Sequence, residues 1–256
     1  MHLSIVIPAF NESLRLAQTL EQVRSALAGG GGEHSWEIIV CDNNSGDDTA
    51  AIASRLRARV AFEPVNQISR ARNTGATLAS GQWLLFMDAD TWPPAGLMSE
   101  VFEVIDQNGR YIGCGSTVEV RDGTRFNRLR LERMNPLFRA LGVAGGAFLL
   151  CRREAFHAIG GFSVNLYALE DIEFVLRLRK YGRSTGRAFR ILHRHPAVTS
   201  GRKGEYRLGA MFRLILSNVV ALVLFALHYV LPGRWVGKLG AKWLPYWYGD
   251  RERSGR

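Results

Sequence analysis

The sequence is poor in cysteine and lacks the patterns that mark disulfide-rich, secreted or disordered proteins. Its three cysteines, Cys41, Cys114 and Cys151, are far apart and form no CxxC pair. We therefore expect reduced thiols in the core of a cytosolic protein rather than disulfides or a zinc site. The first ten residues, MHLSIVIPAF, contain neither a positive leader nor a cleavage site, and we expect no signal peptide. With 47% hydrophobic and 22% charged residues, the composition is that of an ordinary globular protein.

Acidic residues are scarce in the second half of the chain. Residues 1–120 hold 8 Lys or Arg and 14 Asp or Glu, a balance of −6, whereas residues 121–256 hold 25 and 9, a balance of +16. The asymmetry predicts that the rear portion meets an anionic partner, which could be phospholipid, diphosphate or nucleic acid. Because the sequence contains no recognised nucleic-acid motif, we expect no nucleic-acid partner.

The first 120 residues alternate between strand and helix patterns. Strand patterns lie at 3–7, 36–42, 60–62, 83–90 and 110–120, and helix patterns lie at 16–27, 47–59 and 68–80. This alternation predicts an α/β fold with a mainly parallel sheet between helices. Further helix patterns lie at 126–141 and 168–182.

Polar clusters follow three of the predicted strands: PAFNE (8–12), DNNSGDD (42–48) and DAD (88–90). Ligands of parallel sheets bind at the carboxyl ends of the strands, so we expect these clusters to form one site. Asp88 and Asp90 supply carboxylate oxygens, which Mg²⁺ and Mn²⁺ prefer. We expect Asp90 to bind the metal directly, and Asp88 to bind it through water or to accept a ribose hydroxyl. A solvated acidic turn is the alternative, because a DxD motif alone is common.

Several motifs occur in the order typical of one enzyme family: PAFNE (8–12), DNNSGDDT (42–49), ARNTG (71–75), DAD (88–90), GGF (160–162) and ED (170–171). The chain thereby resembles family 2 glycosyltransferases from about residue 3 to residue 182. The resemblance implies an inverting enzyme with the Rossmann-like GT-A fold that uses a nucleotide-diphosphate sugar and Mg²⁺ or Mn²⁺. We expect a catalytic domain over 1–205, with a nucleotide-sugar half (1–120) and an acceptor half (121–205), followed by a C-terminal appendage over 206–256.

The resemblance also implies roles for individual residues. Those expected to bind the donor nucleotide or sugar are Pro8, Ala9, Glu12, Asp42, Asn44, Arg72, Asn73, Asp88 and Arg202. Within this set, Glu12 would accept ribose hydroxyls, Asp42 would read the base, and Arg72 would lie near the sugar and phosphates. Structural alternatives exist for all three: Glu12 suits the first turn of a helix, Asp42 can cap a turn, and Arg72 can lie on a solvated helix face.

Asp171 matches the position of the family's general base, which takes the proton of the acceptor hydroxyl as it attacks the sugar. Its neighbour Glu170 is the second catalytic candidate, or it only shapes the loop. The alternative for both is a favourable interaction with the dipole of the helix that they open. If the acceptor is a lipid phosphate, which is already ionised, no base is needed and Asp171 matters less.

Residues 214–231 carry no charge over about the length of a membrane-spanning helix. Residues 234–249 interleave Trp and Tyr with Arg and Lys, a mixture favoured at membrane interfaces. We expect an embedded or re-entrant helix at the cytoplasmic face of a membrane, and a single span, a buried core helix or a dimer interface are the alternatives. The processive motif QxxRW is absent, since the corresponding region reads TSGRKGEYR (199–207), which favours the addition of a single sugar.

The sequence therefore predicts a metal-dependent inverting glycosyltransferase that moves one sugar from a UDP- or GDP-sugar to a membrane lipid or lipid-linked glycan. The alternatives are a nucleotide-sugar-binding protein without turnover, a basic nucleic-acid binder, and a hydrolytic carboxylate pair of the kind that glycosidases use.

Overall fold

A computed structural model describes residues 3–30, 34–107, 109–121, 135–136, 138–200 and 225–226, and within them eight strands form one sheet. The strands are β1 (Leu3–Ala9), β2 (Trp36–Asp42), β3 (Arg59–Phe62), β4 (Trp83–Met87), β5 (Thr91–Trp92), β6 (Tyr111–Val120), β7 (Phe148–Arg152) and β8 (Ala188–Thr199). The helices that flank them are α1 (Ser13–Gly29), α2 (Thr49–Arg55), α3 (Ile68–Thr77), α4 (Ala95–Asp106), α5 (Arg153–Ala158) and α6 (Glu170–Ser184).

The sheet is mixed, in the order β3-β2-β1-β4-β7-β6-β8-β5. The strands β3, β2, β1 and β4 pair in parallel, as the sequence predicted for this half. Beyond them, β7 is antiparallel to both β4 and β6, β8 is parallel to β6, and β5 is antiparallel to β8. The α/β architecture is therefore confirmed, whereas beyond β4 the pairing is mixed and only β6 and β8 are parallel.

Alternate residues of β4 face the two layers of the core, because successive side chains of a strand point to opposite faces. Leu85 and Met87 belong to the hydrophobic cluster that includes α1 and α4. Leu84 and Phe86 belong to the cluster that includes α3, α5 and α6. Complete burial of one such side chain stabilises the fold by about 1.5–3 kcal/mol. The packing of both layers thus fixes where the strands end and the site begins.

Several predicted boundaries differ from the structure. The strand predicted over 83–90 ends at Met87, because the acidic residues that follow lie in a turn. The helix predicted over 47–59 covers only Thr49–Arg55, since Arg57 has a left-handed φ of 56° and β3 begins at Arg59. No element was predicted for α4, β7 or β8.

The predicted membrane segment at 214–231 lies outside the described residues, except for positions 225–226. Of the predicted helix at 126–141, residues 135–136 and 138–141 are described and are helical. None of the helices in the described ranges is long and apolar enough to cross a membrane.

Candidate active site

The loops that follow β1 and β2 are tied together at the carboxyl edge of the sheet. The backbone N–H of Asn11 donates to Ser45 Oγ at 3.0 Å, and the backbone N–H of Gly46 donates to Asn11 Oδ1 at 2.9 Å. Asn11 and Asn44 have φ values of 52° and 63°, a left-handed conformation that asparagine adopts more readily than most residues. The two loops therefore form one polar rim at the ends of neighbouring parallel strands.

Asp42 and Glu12 are buried in this rim, with 6% and 5% of their surface exposed. Asp42 Oδ1 accepts a hydrogen bond from the backbone N–H of Ser45 at 3.2 Å, which is the turn contact expected of its structural alternative. The backbone N–H of Glu12 donates to Thr49 Oγ1 at 2.9 Å, next to the start of α1. Nucleotide binding by either carboxylate stays a prediction.

Arg72 is the centre of a buried ionic network. Its side chain extends from α3 and only 1% of the residue is exposed, so the solvated-face alternative is wrong. Nη1 donates to Glu170 Oε1 at 2.9 Å, and Nη2 donates to Asp88 Oδ1 and to the Gly146 carbonyl oxygen, both at 3.2 Å. A buried guanidinium without partners would cost several kcal/mol, and these acceptors offset that penalty.

Asp171 lies beside this network, in the first turn of α6. Its Oδ2 accepts the backbone N–H of Gly146 at 2.6 Å, and its Oδ1 accepts the backbone N–H of Ile172 at 2.8 Å. Gly146 therefore touches the site twice, through its N–H to Asp171 and its carbonyl oxygen to Arg72. Leu169, just before α6, has a φ of 60°, a conformation that costs a non-glycine residue about 1–2 kcal/mol and that tends to occur at functional sites.

These residues open onto a cavity of about 280 Å³. Its lining comes from α3, the acidic loop after β4, the loop before β7 and the start of α6, and comprises Ile68, Arg72, Asp88, Phe138, Gly145, Gly146, Ala147, Tyr167, Ala168, Leu169, Glu170, Asp171 and Ile172. Asp88 of the DxD motif and both residues of the ED motif thus meet at one cavity, although Asp88 and Glu170 are 82 residues apart in the sequence. Asp42 and Asp90 do not belong to this lining.

Negative charge exceeds positive charge in the network, because three carboxylates surround one guanidinium. Burial, reinforced by the adjacent Asp171, raises the pKa of Glu170 from 4.5 to about 7, although Arg72 opposes the shift. Burial alone would lower the pKa of Arg72, but Asp88 and Glu170 raise it. The guanidinium therefore stays charged, and the excess acidic charge favours the approach of a cation.

Asp90 lies at the outer end of the acidic loop and is held by the end of β8. Its Oδ2 accepts a hydrogen bond from Ser200 Oγ at 2.6 Å, and its backbone oxygen accepts one from the Ser200 N–H at 3.1 Å. Asp88 and Asp90 each offer carboxylate oxygens, the type of ligand that Mg²⁺ and Mn²⁺ prefer. The described residues contain no group of three or more His, Cys, Asp or Glu side chains that could hold a metal. A site of two carboxylates completed by substrate phosphates and water is usual for Mg²⁺, so the residues fit such an ion.

The structure groups the predicted site residues in two places. Arg72, Asp88, Glu170 and Asp171 share the cavity, whereas Pro8, Ala9, Glu12, Asp42 and Asn44 lie at the ends of β1 and β2 and in the loops that follow them. Asn73 uses both polar groups of its amide for the backbone of Phe162, with N···O distances of 2.9 Å. Arg202 lies outside the described residues. No finding assigns a ligand to any of them, and their binding and catalytic roles stay predictions.

Among the cavity residues that the sequence analysis did not single out, Gly146 and Leu169 shape the site most directly. Gly146 carries no side chain, and its only signal was the Gly-Gly pair directly before an apolar run. Leu169 gave no signal, because a left-handed leucine cannot be recognised from its neighbours in the sequence.

Comparison with known proteins gives matches to a family model and to curated relatives. Residues 4–163 match the family model described as glycosyl transferase family 2. Among curated proteins, the chain is similar to glycosyltransferase AglE of Haloferax volcanii, with 27% identity over 90% of this chain and 81% of the relative. It is also 23% identical to the GalNAc(5)-diNAcBac-PP-undecaprenol beta-1,3-glucosyltransferase of Campylobacter jejuni, over 80% of this chain and 70% of the relative.

Solved structures share the fold. S. aureus TarS 1-349 in complex with UDP-GlcNAc superposes with a TM-score of 0.62 at 16% identity, over 95% of this chain and 72% of that chain. The mannosyltransferase PcManGT of Pyrobaculum calidifontis, in complex with GDP-Man and Mn²⁺, has the same TM-score and identity, over 96% of this chain and 74% of that chain. At such low identity the likeness shows the fold alone.

Proposed function

The chain belongs to glycosyl transferase family 2 and is a glycosyltransferase, and on that premise we propose that it moves a single sugar with inversion. The donor is a UDP- or GDP-sugar, and the acceptor is a membrane lipid or a lipid-linked glycan at the cytoplasmic face of a membrane. One observation carries the proposal. The buried Arg72 joins Asp88, on the donor side, to Glu170, whose neighbour Asp171 faces the same cavity.

The donor binds at the ends of β1, β2 and β4 in this proposal. The rim formed by the loops after β1 and β2 takes the nucleoside, with Glu12 and Asp42 as hydrogen-bond acceptors. Asp88 and Asp90 would hold a divalent cation. When bound, such an ion stabilises the negative charge on the leaving diphosphate.

Asp171 acts as the general base. An inverting transfer needs a group that accepts the proton of the acceptor hydroxyl as the oxygen attacks the anomeric carbon. Asp171 fits this task because it lines the cavity and because two backbone N–H groups fix the orientation of its carboxylate. Each carboxylate oxygen has a further lone pair for the incoming proton.

A lipid-linked acceptor is supported by the names of relatives and by the charge of the chain. The C. jejuni relative is named for an undecaprenol-linked glycan, and a relative in Pyrococcus furiosus, 32% identical over 45% of this chain, is named dolichol-phosphate mannosyltransferase. The balance of +16 over residues 121–256 suits a surface of anionic lipid headgroups. The same proposal assigns membrane contact to residues 206–256, beyond a catalytic domain that ends near residue 205.

The test combines donor turnover with matched variants. Purified protein is incubated with a panel of UDP- and GDP-sugars and a lipid extract, with and without Mn²⁺, and the anomeric configuration of the product is read by NMR. Asp171→Asn should lower kcat by about 10²–10⁴-fold, as expected for loss of a general base. Asp90→Asn should raise the Mn²⁺ concentration needed for half-maximal turnover.

Asp106→Asn is the matched control, because Asp106 lies at the end of α4 with 62% of its side chain exposed. It removes one carboxylate without touching the cavity and should leave turnover unchanged. Retention of the donor configuration would refute the inverting mechanism. Turnover that survives both site variants at the level of the control would refute the assigned roles, and binding of a nucleotide-sugar without turnover would favour a binding protein.

A further inference from the structure

We propose that the side chains of Gln67, Arg72 and Asn73 form a clamp that positions residues 162–171, and that they do not hold the donor. Gln67 directly precedes α3, and the other two residues lie on it. We call this set the α3 clamp. The inference rests on the proposed function for the task of Asp171, which the clamped segment carries. It reassigns Arg72 and Asn73, which the family resemblance places near the sugar and phosphates.

Asn73 pairs with the backbone of Phe162 as a neighbouring strand would. Its Nδ2 donates to the Phe162 carbonyl oxygen at 2.9 Å, and its Oδ1 accepts the Phe162 N–H at 2.9 Å. The preceding Gly161 has a φ of 68°, and a Cβ at that position would lie 2.7 Å from Asn73 Oδ1. The glycine of the GGF motif therefore permits the close approach of Asn73 to this segment.

Gln67 holds the middle of the segment. It is 1% exposed, and its Nε2 donates to the carbonyl oxygens of Val164 at 2.8 Å and Leu166 at 3.2 Å. Its backbone N–H donates to Asn43 Oδ1 at 2.9 Å, so the clamp is anchored to the loop after β2. Gln67 thus connects the loop after β2, through its backbone, to the segment at Val164 and Leu166, through its side chain.

Arg72 holds the end of the segment through its ion pair with Glu170. Its guanidinium carbon also lies 5.1 Å from the centre of the Phe162 ring. Phosphate recognition by arginine uses free N–H groups in a fork. With 2% of its side chain exposed, Arg72 bonds Nη1 and Nη2 to protein acceptors, while its buried Nε has no hydrogen-bond partner among the described residues. The two terminal nitrogens of the guanidinium are therefore committed to the fold.

The clamp contacts the segment along its length, at residues 162, 164, 166 and 170. The segment leads directly into Asp171, so its position fixes the distance between that carboxylate and the donor. Loss of one contact should therefore misplace Asp171 while the donor pocket keeps its residues. Displacement of a catalytic group by about 1 Å can lower the rate by about 10²-fold.

The experiment compares Asn73→Ala and Gln67→Ala with Thr77→Ala. Thr77 lies on the same helix and is the matched control, since its hydroxyl donates only within α3, to the Thr74 carbonyl oxygen at 2.7 Å. Hydrogen exchange of peptides over 161–172 should become about tenfold faster in both clamp variants and stay unchanged in the control. Calorimetric Kd values for UDP and GDP with Mn²⁺ should match those of the wild type, while kcat falls at unchanged donor KM.

Either of two results would overturn the clamp: unchanged exchange over 161–172 in both variants, or a nucleotide Kd at least tenfold weaker in Asn73→Ala. Arg72→Lys adds a variant that keeps the buried charge, and it should accelerate exchange at Glu170 and Asp171 in the same way. If the wild-type protein binds neither nucleotide, the proposed function fails, but the exchange measurement still decides whether the clamp exists.

Discussion

Replacement of Gly146 by alanine should destabilise the protein through a clash with the Arg72 guanidinium. A Cβ at position 146 would lie 2.1 Å from Arg72 Nη2 and 2.7 Å from Cζ. The guanidinium cannot move aside freely, because Glu170 and Asp88 hold it and almost none of it is exposed. Gly146 has no left-handed φ, so the cost of the substitution comes from the clash and not from the backbone.

The magnitude follows from two contributions. Overpacking of a well-filled interior costs about 1–3 kcal/mol. Displacement of the guanidinium would also weaken a buried ion pair, whose complete loss costs about 3–5 kcal/mol. Partial displacement therefore predicts a loss of about 2–4 kcal/mol in the free energy of unfolding. With a urea m-value of about 2 kcal/mol/M, the midpoint should fall by about 1–2 M.

Gly145→Ala is the control, because it adds the same methyl group one residue away. Its Cβ would have only Asp171 Oδ2 within 4 Å, at 3.7 Å, which is ordinary van der Waals contact. We expect its urea midpoint to change by about 0.2 M or less, since an accommodated methyl costs about 0.5 kcal/mol at most. Equal midpoints for the two variants would refute the fixed position of Arg72.

Three further predictions concern titratable groups. The raised pKa of Glu170, caused by burial and Asp171, means that the folded state keeps a proton which the unfolded chain releases above pH 4.5. The contribution of Glu170 to the free energy of unfolding therefore falls as the pH rises from about 4.5 through 7. Glu170→Gln should remove this fall when the free energy is measured by urea unfolding across that pH range. The same dependence on pH in the variant as in the wild type would contradict the prediction. Burial would raise the pKa of Glu37, but hydrogen bonds from Ser80 and Ser4 outweigh it and lower the pKa from 4.5 to about 2. Its stabilisation is present above pH 4.5 and is lost towards pH 2, so the difference in unfolding free energy between wild type and Glu37→Gln should shrink over that range. Burial also raises the pKa of all three cysteine thiols, which should react with Ellman's reagent at pH 8 only after unfolding.

The parallel half of the fold could be predicted because its strands are short, apolar and followed by polar residues. β1, β2 and β4 are almost wholly buried, so they read as continuous apolar runs. β8 could not be recognised in the same way. Its twelve residues are mostly half-exposed or exposed and include two histidines and a proline, so neither alternation nor an apolar run marks it.

The cavity could be predicted only as a set of motifs. The acidic pairs and the ARN element were identified from their order in the sequence, and the structure brings Arg72, Asp88 and Glu170 into direct contact. The burial of Arg72 could not be foreseen, because a helical arginine is usually solvated and nothing local indicates partners 16 and 98 positions away. Likewise, the pairing of Asn73 with Phe162 depends on a contact across 89 positions.

The sequence separation of Arg72 and Glu170 also determines when each partner of the ion pair becomes available during translation. At roughly 5–20 residues per second, the 98 positions between them take about 5–20 s to translate. The first four parallel strands are therefore complete while one counter-charge of the guanidinium has yet to be made. Only after about two thirds of the chain has been synthesised can the arginine enter its final low-dielectric surroundings as a neutralised group.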